Sequence, residues 1–230
     1  MYTMKTVLVT GASGNLGTSL VEELHKDGYH IIATLSSEKN LDIFKHLPNV
    51  ETHVVNLLES DNVSSFLGKI GHKPIHAAAL LVGGFATGGI QETEIATLDK
   101  MYQLNFITAF NVVKPLMTLF EAQGGGQFVF IGARPAIVPE AGKNLVAYAL
   151  SKSLIFELAN LVNAAGNDSH ISATVIVPST IDTPINREAM PDADPTKWIT
   201  PEDISKTIAF VLSDTGRMIS DPILKLYNQS

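Results

Sequence analysis

The first predicted strand and the turn after it read Thr6-Val7-Leu8-Val9-Thr10-Gly11-Ala12-Ser13-Gly14-Asn15-Leu16-Gly17. The short β-branched run predicts a buried strand, and the residues after the turn have the amphipathic pattern of a helix. Glycines at such a junction permit a tight turn and let the backbone approach a pyrophosphate, whose charge the helix N-terminus stabilises. The alternative is a glycine-rich turn without a ligand, because Asn15 stands where many such turns carry their middle glycine.

The rest of the chain alternates short β-branched runs with longer amphipathic stretches, which is the pattern of βαβ units. Strands are predicted at Thr6–Thr10, His30–Leu35, Glu51–Val55, Ile75–Ala79, Gln127–Ile131, Ser172–Val177 and Ile223–Leu226. Helices are predicted at Leu16–Lys26, Glu38–His46, Ser60–Ile70, Ile95–Ala122, Leu145–Asn163 and Pro201–Leu212. We therefore predict a single α/β domain over residues 1–230, a Rossmann-type doubly wound, mostly parallel seven-stranded sheet with helices on both faces.

Two stretches fit neither periodicity. Residues 80–94 are rich in glycine, and residues 178–200 contain four prolines. Each follows a predicted strand, and in a doubly wound sheet ligands bind in the crevice at the carboxyl ends of the strands. We expect both stretches to be substrate loops.

Composition excludes several functional classes. With 45% hydrophobic and 17% charged residues the chain can bury one sizeable core, and its net charge of −7 without a Lys/Arg run argues against a nucleic-acid partner. There is no cysteine, and the seven histidines lack metal-ligand spacing, so no metal site is predicted. No apolar run is long enough for a membrane span or a signal peptide, so we expect a cytoplasmic protein with no membrane partner.

A candidate proton donor lies at Tyr148-Ala149-Leu150-Ser151-Lys152. A tyrosine and a lysine four apart on a helix share one face, so the ammonium can favour the ionised phenol. Taken alone, this spacing is common by chance, and a half-buried tyrosine beside a solvated lysine explains it equally well. The remaining motifs decide between the two interpretations.

Five motifs occur in an order that resembles the short-chain dehydrogenase/reductase family. They are the glycine turn, Ala77-Ala78-Ala79 closing the fourth strand, Asn105 in the long helix, Tyr148-x-x-x-Lys152, and Pro178-x-x-Ile181-x-Thr183 after the sixth strand. The resemblance covers nearly the whole chain. It implies a nicotinamide-dependent oxidoreductase acting on a small molecule.

The resemblance also implies roles for individual residues. Tyr148 is expected to act as general acid, Lys152 to bind the nicotinamide ribose and lower the tyrosine's pKa, and Asn105 to support a water relay. The expected cofactor-binding residues are Gly11, Ser13, Gly14, Asn15, Leu16, Gly17, Ser36, Ser37, Asn56, Leu57, Ala78, Ala79, Tyr148, Lys152, Pro178, Ile181 and Thr183.

One expected residue is missing. Relatives usually carry a serine just after the fifth strand that hydrogen-bonds the substrate oxygen, whereas this chain has no Ser or Thr from Gly124 to Ala147. Removing such a preorganised donor typically costs about 2.7–4 kcal/mol of transition-state stabilisation. Either carbonyl chemistry is poor here, or the substrate does not need that donor.

A narrower resemblance, to the dihydropteridine reductase branch, favours the second option. That branch also lacks the serine, and its quinonoid substrate is reduced at a ring nitrogen, where no alkoxide develops. By this resemblance Phe85 stacks on the substrate, and Trp198 either contacts it or only anchors its loop. The expected substrate residues are Phe85, Ala133, Arg134, Asn186, Met190 and Trp198.

Cofactor choice follows from the end of the second strand. NAD-specific dehydrogenases usually place an Asp or Glu there, whereas this strand continues into Ser36 and Ser37, with Lys39 close behind. The strand end itself, Leu35-Ser36-Ser37, carries no carboxylate to oppose a 2′-phosphate, so NADP(H) is slightly favoured over NAD(H).

Two other functions remain open from the sequence. One is a carbonyl or alcohol dehydrogenase of the same family, in which Arg134 or Asn144 replaces the serine. The other is a catalytically silent NAD(P)-binding sensor. The resemblance also implies a homodimer or homotetramer, because many relatives pair through their long helices. The long helix here carries more apolar residues than one core-facing stripe requires, and the surplus either faces a partner subunit or packs against the sheet.

Overall fold

The computed structural model describes residues 4–70, 73–219 and 222–228. In these ranges seven parallel strands form one sheet in the order β3-β2-β1-β4-β5-β6-β7. The strands are β1 Thr6–Thr10, β2 His30–Leu35, β3 Val50–Val54, β4 Ala77–Leu80, β5 Gly126–Ile131, β6 Ile171–Pro178 and β7 Ile223–Leu226. The predicted doubly wound α/β fold is confirmed, and every strand pair is parallel.

Eight α-helices connect these strands in the described ranges. They are α1 Asn15–Lys26, α2 Ser60–Ile70, α3 Ile95–Tyr102, α4 Thr108–Gln123, α5 Pro139–Gly142, α6 Val146–Gly166, α7 Pro184–Ala189 and α8 Pro201–Leu212. None of the helices in these ranges combines the length and the apolar character needed to cross a bilayer.

The sheet separates two hydrophobic cores. One joins alternate strand residues such as Leu8 and Phe128 to apolar residues of α2, α4 and α6, while the other joins Val7 and Val9 to α1 and α8. Successive strand residues point to opposite faces, so a strand buried on both faces must be apolar throughout. This requirement explains why β1 reads as an unbroken buried run.

Strand order reverses beside β1, which pairs with β2 on one side and with β4 on the other. The connections after β1 and β4 therefore leave in opposite directions and open a crevice at the carboxyl ends of the strands. The glycine turn after β1 and the glycine-rich stretch after β4 meet there, since the Leu81 N–H donates to Thr10 Oγ1 at 3.1 Å.

The predicted helix at Glu38–His46 is wrong. The structure has a single 3₁₀ turn at Glu38–Asn40, capped by Ser37, followed by further turns closed by three-residue bonds such as Ile43 N to Asn40 O. Asn and Asp compete with helix by local hydrogen bonds, and this segment contains both. Phe44, which is buried in the core on the α1 side, anchors the segment.

The predicted long helix at Ile95–Ala122 is interrupted. Residues Gln103–Ile107 form a π-helical turn between α3 and α4, and Asn105 lies in it. Such turns insert one extra residue into a helix and are frequent at functional sites. The helix ends at Gln123 because Gly124 adopts a left-handed conformation with φ of 83°.

Most other boundaries agree with the sequence to within two residues. The predicted and observed limits coincide for β1, β2, β7, α2 and α8. The other strands and α1 shift by one or two residues, and α6 extends to Gly166. In addition, the unassigned stretch 178–200 contains the short helix α7, which begins at Pro184 with Thr183 as N-cap.

Apolar side chains remain exposed on the helices expected to pair with another subunit. The rings of Tyr102, Phe106 and Phe110 stack in series, with centroid separations of 5.4 and 5.8 Å. Leu150 and Leu161 on α6 are also exposed. These residues form the surface on which the predicted homodimer or homotetramer depends.

Candidate active site

The structure brings Asn105, Ser151 and Tyr148 into one hydrogen-bonded chain. Asn105 is buried, and its Nδ2 donates to Ser151 Oγ at 2.9 Å, while Ser151 Oγ donates to the Tyr148 carbonyl at 2.9 Å. Asn105 also holds the loop after β4, because its Oδ1 accepts from the Gly84 N–H at 2.8 Å and its Nδ2 contacts the Gly84 carbonyl at 3.2 Å. The amide therefore ties the glycine loop to α6.

Lys152 lies deeper in the same helix. Its Nζ donates to the carbonyl of Ile131, the last residue of β5, at 2.8 Å. A Cβ at Gly83 would stand 3.2 Å from this Nζ and 2.7 Å from Asn105 Oδ1. Only glycine lets the loop backbone pass this close to both groups, which explains the glycine at this position.

Burial sets the protonation state of both candidate catalytic groups. It raises the pKa of Tyr148 from 10.0 to about 12 and lowers the pKa of Lys152 from 10.5 to about 8. Removing a group from water disfavours its charged form, which accounts for both directions. The sequence predicted a lowered tyrosine pKa, whereas in this structure desolvation is the cause that acts and the phenol is neutral at pH 7. A neutral phenol is the form that can donate a proton.

The buried lysine predicts a measurable pH dependence of stability. Between pH 8 and 10.5 the unfolded chain binds a proton at Lys152 that the folded chain has released, so the free energy of unfolding rises with pH. We expect wild type to gain about 2 kcal/mol between pH 7 and about pH 9.5 relative to Lys152→Met, measured by urea unfolding. Lys69→Met, at an exposed site on α2, should retain the wild-type gain. Equal gains in wild type and Lys152→Met would contradict the assigned pKa.

A first cavity, of about 610 Å³, lies at the carboxyl ends of β1 to β4. The glycine turn forms one wall, where the Gly14 N–H donates to the Gly11 carbonyl at 3.1 Å. Helix α1 begins there with neither a side-chain cap nor an acidic residue in its first turn. Its first N–H groups thus remain open to an anion, and the residues fit the diphosphate of a dinucleotide.

The other end of this cavity carries hydroxyl and amide groups. Thr34 Oγ1 is buried there without a hydrogen-bond partner among the described residues, which leaves one polar atom for a ligand to satisfy. Ser36 and Asn56 also line the cavity, and Asn56 Oδ1 already accepts from the Leu58 N–H at 3.1 Å. Ser37 caps the following turn, with its Oγ accepting from the Lys39 N–H at 3.3 Å.

A second cavity, of about 450 Å³, holds Tyr148. Phe85 packs edge-on against the tyrosine, with ring centroids 5.0 Å apart, yet 62% of Phe85 remains exposed. Arg134, in the turn after β5, also lines this cavity. The described residues that line it are Phe85, Ile131, Gly132, Ala133, Arg134, Pro135, Ala141, Leu145, Tyr148, Pro178, Ser179, Thr180, Ile181, Asn186 and Met190.

The loop after β6 closes one side of the second cavity. Arg187 binds Asp182 through two hydrogen bonds of 2.6 and 2.8 Å, and this contact lowers the pKa of the Asp182 carboxyl. Thr183 Oγ1 accepts from the Asn186 N–H at 3.2 Å, while Asn186 Nδ2 donates to the Ile181 carbonyl at 2.8 Å. These contacts organise the loop that carries Pro178 and Ile181.

The two cavities contain many, but not all, of the residues predicted from sequence. The first is lined by Gly11, Ser13, Gly14, Ser36, Asn56 and Leu57, and the second by Tyr148, Pro178, Ile181, Phe85, Ala133, Arg134, Asn186 and Met190. The predicted residues outside both linings are Lys152, Asn105, Asn15, Leu16, Gly17, Ser37, Ala78, Ala79, Thr183 and Trp198. Trp198 is buried, and its carbonyl accepts from Asn228 Nδ2 at 3.0 Å, as an anchor of its loop would do.

Several lining residues have no motif in the sequence. Leu81, Val82 and Gly83 wall the first cavity, whereas the predicted Ala78 and Ala79 lie inside β4. In the sequence, only their position could have indicated this role, because these three residues follow directly on β4, beside the place where the strand order reverses. Among the described residues, no group of His, Asp and Glu has an arrangement that could hold a metal ion.

Comparison with known proteins agrees with this geometry. Residues 5–194 match the family model described as short chain dehydrogenase. An uncharacterized oxidoreductase of Staphylococcus haemolyticus is 25% identical over 93% of both chains. A dihydropteridine reductase of Dictyostelium discoideum is 27% identical over 89% of this chain and 86% of its own.

A solved structure, ElxO with NADP bound, superposes with a TM-score of 0.89 at 18% identity and covers 97% of each chain. That likeness shows the fold, and the family match extends over most of the chain. The glycine turn after β1 and the helix α6, which carries Tyr148-x-x-x-Lys152, lie within the matched residues. The chain therefore belongs to the short-chain dehydrogenase/reductase family of NAD(P)-dependent oxidoreductases.

Proposed function

We propose that this protein reduces a planar, conjugated ring or a similar electrophile, with Tyr148 as the proton donor. The proposal depends on the arrangement around Tyr148. The exposed ring of Phe85 lies against the phenol, and residues 124–147 contribute no hydroxyl group to the cavity. Phe85 offers a flat apolar surface to a flat substrate. A substrate reduced at a ring nitrogen does not need the missing serine, because no alkoxide develops.

Each residue has a part in the proposed reaction. Bound NAD(P)H would supply the hydride. Tyr148, neutral at pH 7 because burial raises its pKa, donates the proton to the substrate atom that becomes basic. Lys152 Nζ donates to the Ile131 carbonyl at the carboxyl end of β5, which fixes the ammonium near the proposed cofactor site. Asn105 hydrogen-bonds to both Gly84 and Ser151 and so fixes the glycine loop relative to α6.

The Dictyostelium dihydropteridine reductase supports a conjugated acceptor, since that relative shares 27% identity with this chain. The competing function is carbonyl reduction with Arg134 in place of the serine, and it is favoured by the position of Arg134 in the cavity lining. Asn144, the other candidate replacement, is exposed and does not line the cavity.

An activity screen separates the two. NADH and NADPH are each tested with quinonoid dihydropterins, quinones and simple ketones. We expect conjugated acceptors to exceed ketones in kcat/KM by about 10-fold or more, because the serine that usually serves a ketone is missing after β5. A clear preference for ketones would favour the carbonyl reductase, and no oxidation of either cofactor with any acceptor would reject both.

We also propose that NADP(H) is preferred over NAD(H). Among the described residues that line the first cavity none carries a carboxylate, and Ser36 lines it just after β2. Ser36→Asp should lower the ratio of kcat/KM for NADPH to that for NADH by about 10- to 100-fold, because a carboxylate repels a 2′-phosphate and accepts from a 2′-hydroxyl. Ser36→Ala is the uncharged control and should change the ratio far less. An unchanged ratio in Ser36→Asp would contradict the preference.

A further inference from the structure

The second cavity carries a single fixed positive charge. Of the described residues that line it, only Arg134 and Tyr148 are ionisable, and Tyr148 is neutral at pH 7. The remaining lining side chains are mostly apolar, although the protein as a whole has a net charge of −7. The positive charge of Arg134 is therefore specific to this cavity and does not follow from the overall charge of the protein.

Nothing in the described part of the chain neutralises Arg134. The ion pairs found there use other cations, and Arg187, on the neighbouring loop, is fully engaged by Asp182. In addition, Arg134 Nε is buried without a hydrogen-bond partner among the described residues. A partly buried guanidinium is costly unless an anion pairs with it, and none of the described residues supplies that anion.

The guanidinium is held in position before any ligand arrives. Its central carbon lies 5.2 Å from the centroid of the Tyr227 ring, a cation–π contact. The Arg134 backbone is anchored by its carbonyl, which accepts from the Val138 N–H at 2.9 Å and the Ile137 N–H at 3.1 Å. A guanidinium stacked on a ring keeps its N–H edge for a planar anion, and a carboxylate matches that edge.

We propose that the substrate carries a carboxylate, and that Arg134 binds it. This inference rests on the proposed oxidoreductase function and adds the substrate's charge to it. One arginine without a second cation suits a monoanion better than a phosphate dianion, and the apolar lining with the Phe85 ring suits an aromatic or conjugated body. Arg134 would then bind the carboxylate end of the substrate, away from the reacting atom, and Tyr148 would protonate that reacting atom.

Two probes that differ in charge and by one methyl group test this proposal: 4-carboxybenzaldehyde and its methyl ester. Titration calorimetry on the purified protein with NADP⁺ present should show the acid binding about 10-fold or more tightly than the ester. Arg134→Met should remove this difference by weakening the acid alone, and Arg134→Lys should retain part of it because the charge remains. Arg217→Met, an exposed arginine outside this cavity, should keep the full difference.

Equal or undetectable binding of the two probes by wild type overturns the proposal, and so does a preference that survives Arg134→Met. Turnover with NADPH separates this inference from the proposed function. Arg134-dependent binding of the acid without reduction of either probe leaves the carboxylate site standing and counts against reduction of such substrates. Reduction of both probes with equal KM overturns the carboxylate site and leaves the oxidoreductase activity in place. A drop in kcat for both probes in Arg134→Met identifies Arg134 as the serine replacement instead.

Discussion

Tyr148→Phe is expected to lower kcat for the best acceptor of the activity screen by about 10²- to 10⁴-fold and to leave the Kd for NADPH within about threefold of wild type. The substitution removes one oxygen and keeps the ring, so the edge-on contact with Phe85 persists. Burial holds the phenol in its protonated form, so under the proposed function the lost oxygen would also be the lost proton source. Steady-state kinetics and cofactor fluorescence titration measure the two quantities separately.

Tyr102→Phe is the matched control, since this tyrosine lies on α3 and stacks on Phe106 outside both cavities. It should retain wild-type kcat. Unchanged cofactor oxidation in Tyr148→Phe would show that Tyr148 is not the acid. A wild-type protein that binds NADPH and oxidises it with none of the tested acceptors would instead support the nucleotide-sensing alternative.

Gly17→Ala is expected to destabilise the fold by about 3 kcal/mol, an effect comparable to a core overpacking defect. An added Cβ would stand 2.3 Å from the Gly11 carbonyl oxygen and 2.7 Å from the Ala12 Cα. Both neighbours are backbone atoms of the glycine turn, so no side chain can rotate away. The turn itself must open, and the affinity for NADPH should fall with it.

Gly68→Ala on α2 is the control. Its added Cβ meets no atom within 4 Å, so the helical preference of alanine should stabilise the protein by about 0.5–1 kcal/mol. Urea unfolding of both variants gives the two free energies, and a Gly17→Ala midpoint equal to that of wild type would refute the close packing of α1 on the turn.

The fold was largely predictable because its signals are local. Short apolar runs such as Val7-Leu8-Val9 in β1 mark strands buried on both faces. The predicted helix at Pro201–Leu212 coincides with α8, which has Thr200 as N-cap and Pro201 as its first residue. The helix predicted at Glu38–His46 failed because Asn40 and Asp42 favour local turns over helix. Phe44, together with the partly buried Ile43 and Leu47, packs this series of turns against the core.

The π-helical turn at Asn105 could not be predicted from spacing. One amide has to reach both Gly84 and Ser151, which lie on segments far apart in the sequence. The helix makes both contacts possible through a π-helical turn, which holds one residue more than an α-helical turn. The apolar periodicity of the sequence does not indicate where such a turn occurs. Similarly, Leu81 to Gly83 line the first cavity because β4 ends one residue later than predicted.

The sequence by itself determined the order of strands and helices, the glycine turn after β1, and the presence of a tyrosine and a lysine on one helix. These features depend on side-chain spacing within short segments, which is visible in one dimension. Only the tertiary structure decided that Tyr148 and Lys152 are desolvated, and that Arg134 faces an apolar cavity without a carboxylate partner among the described residues. Desolvation and charge pairing depend on which distant segments close around a group, and so they arise only when the chain has folded.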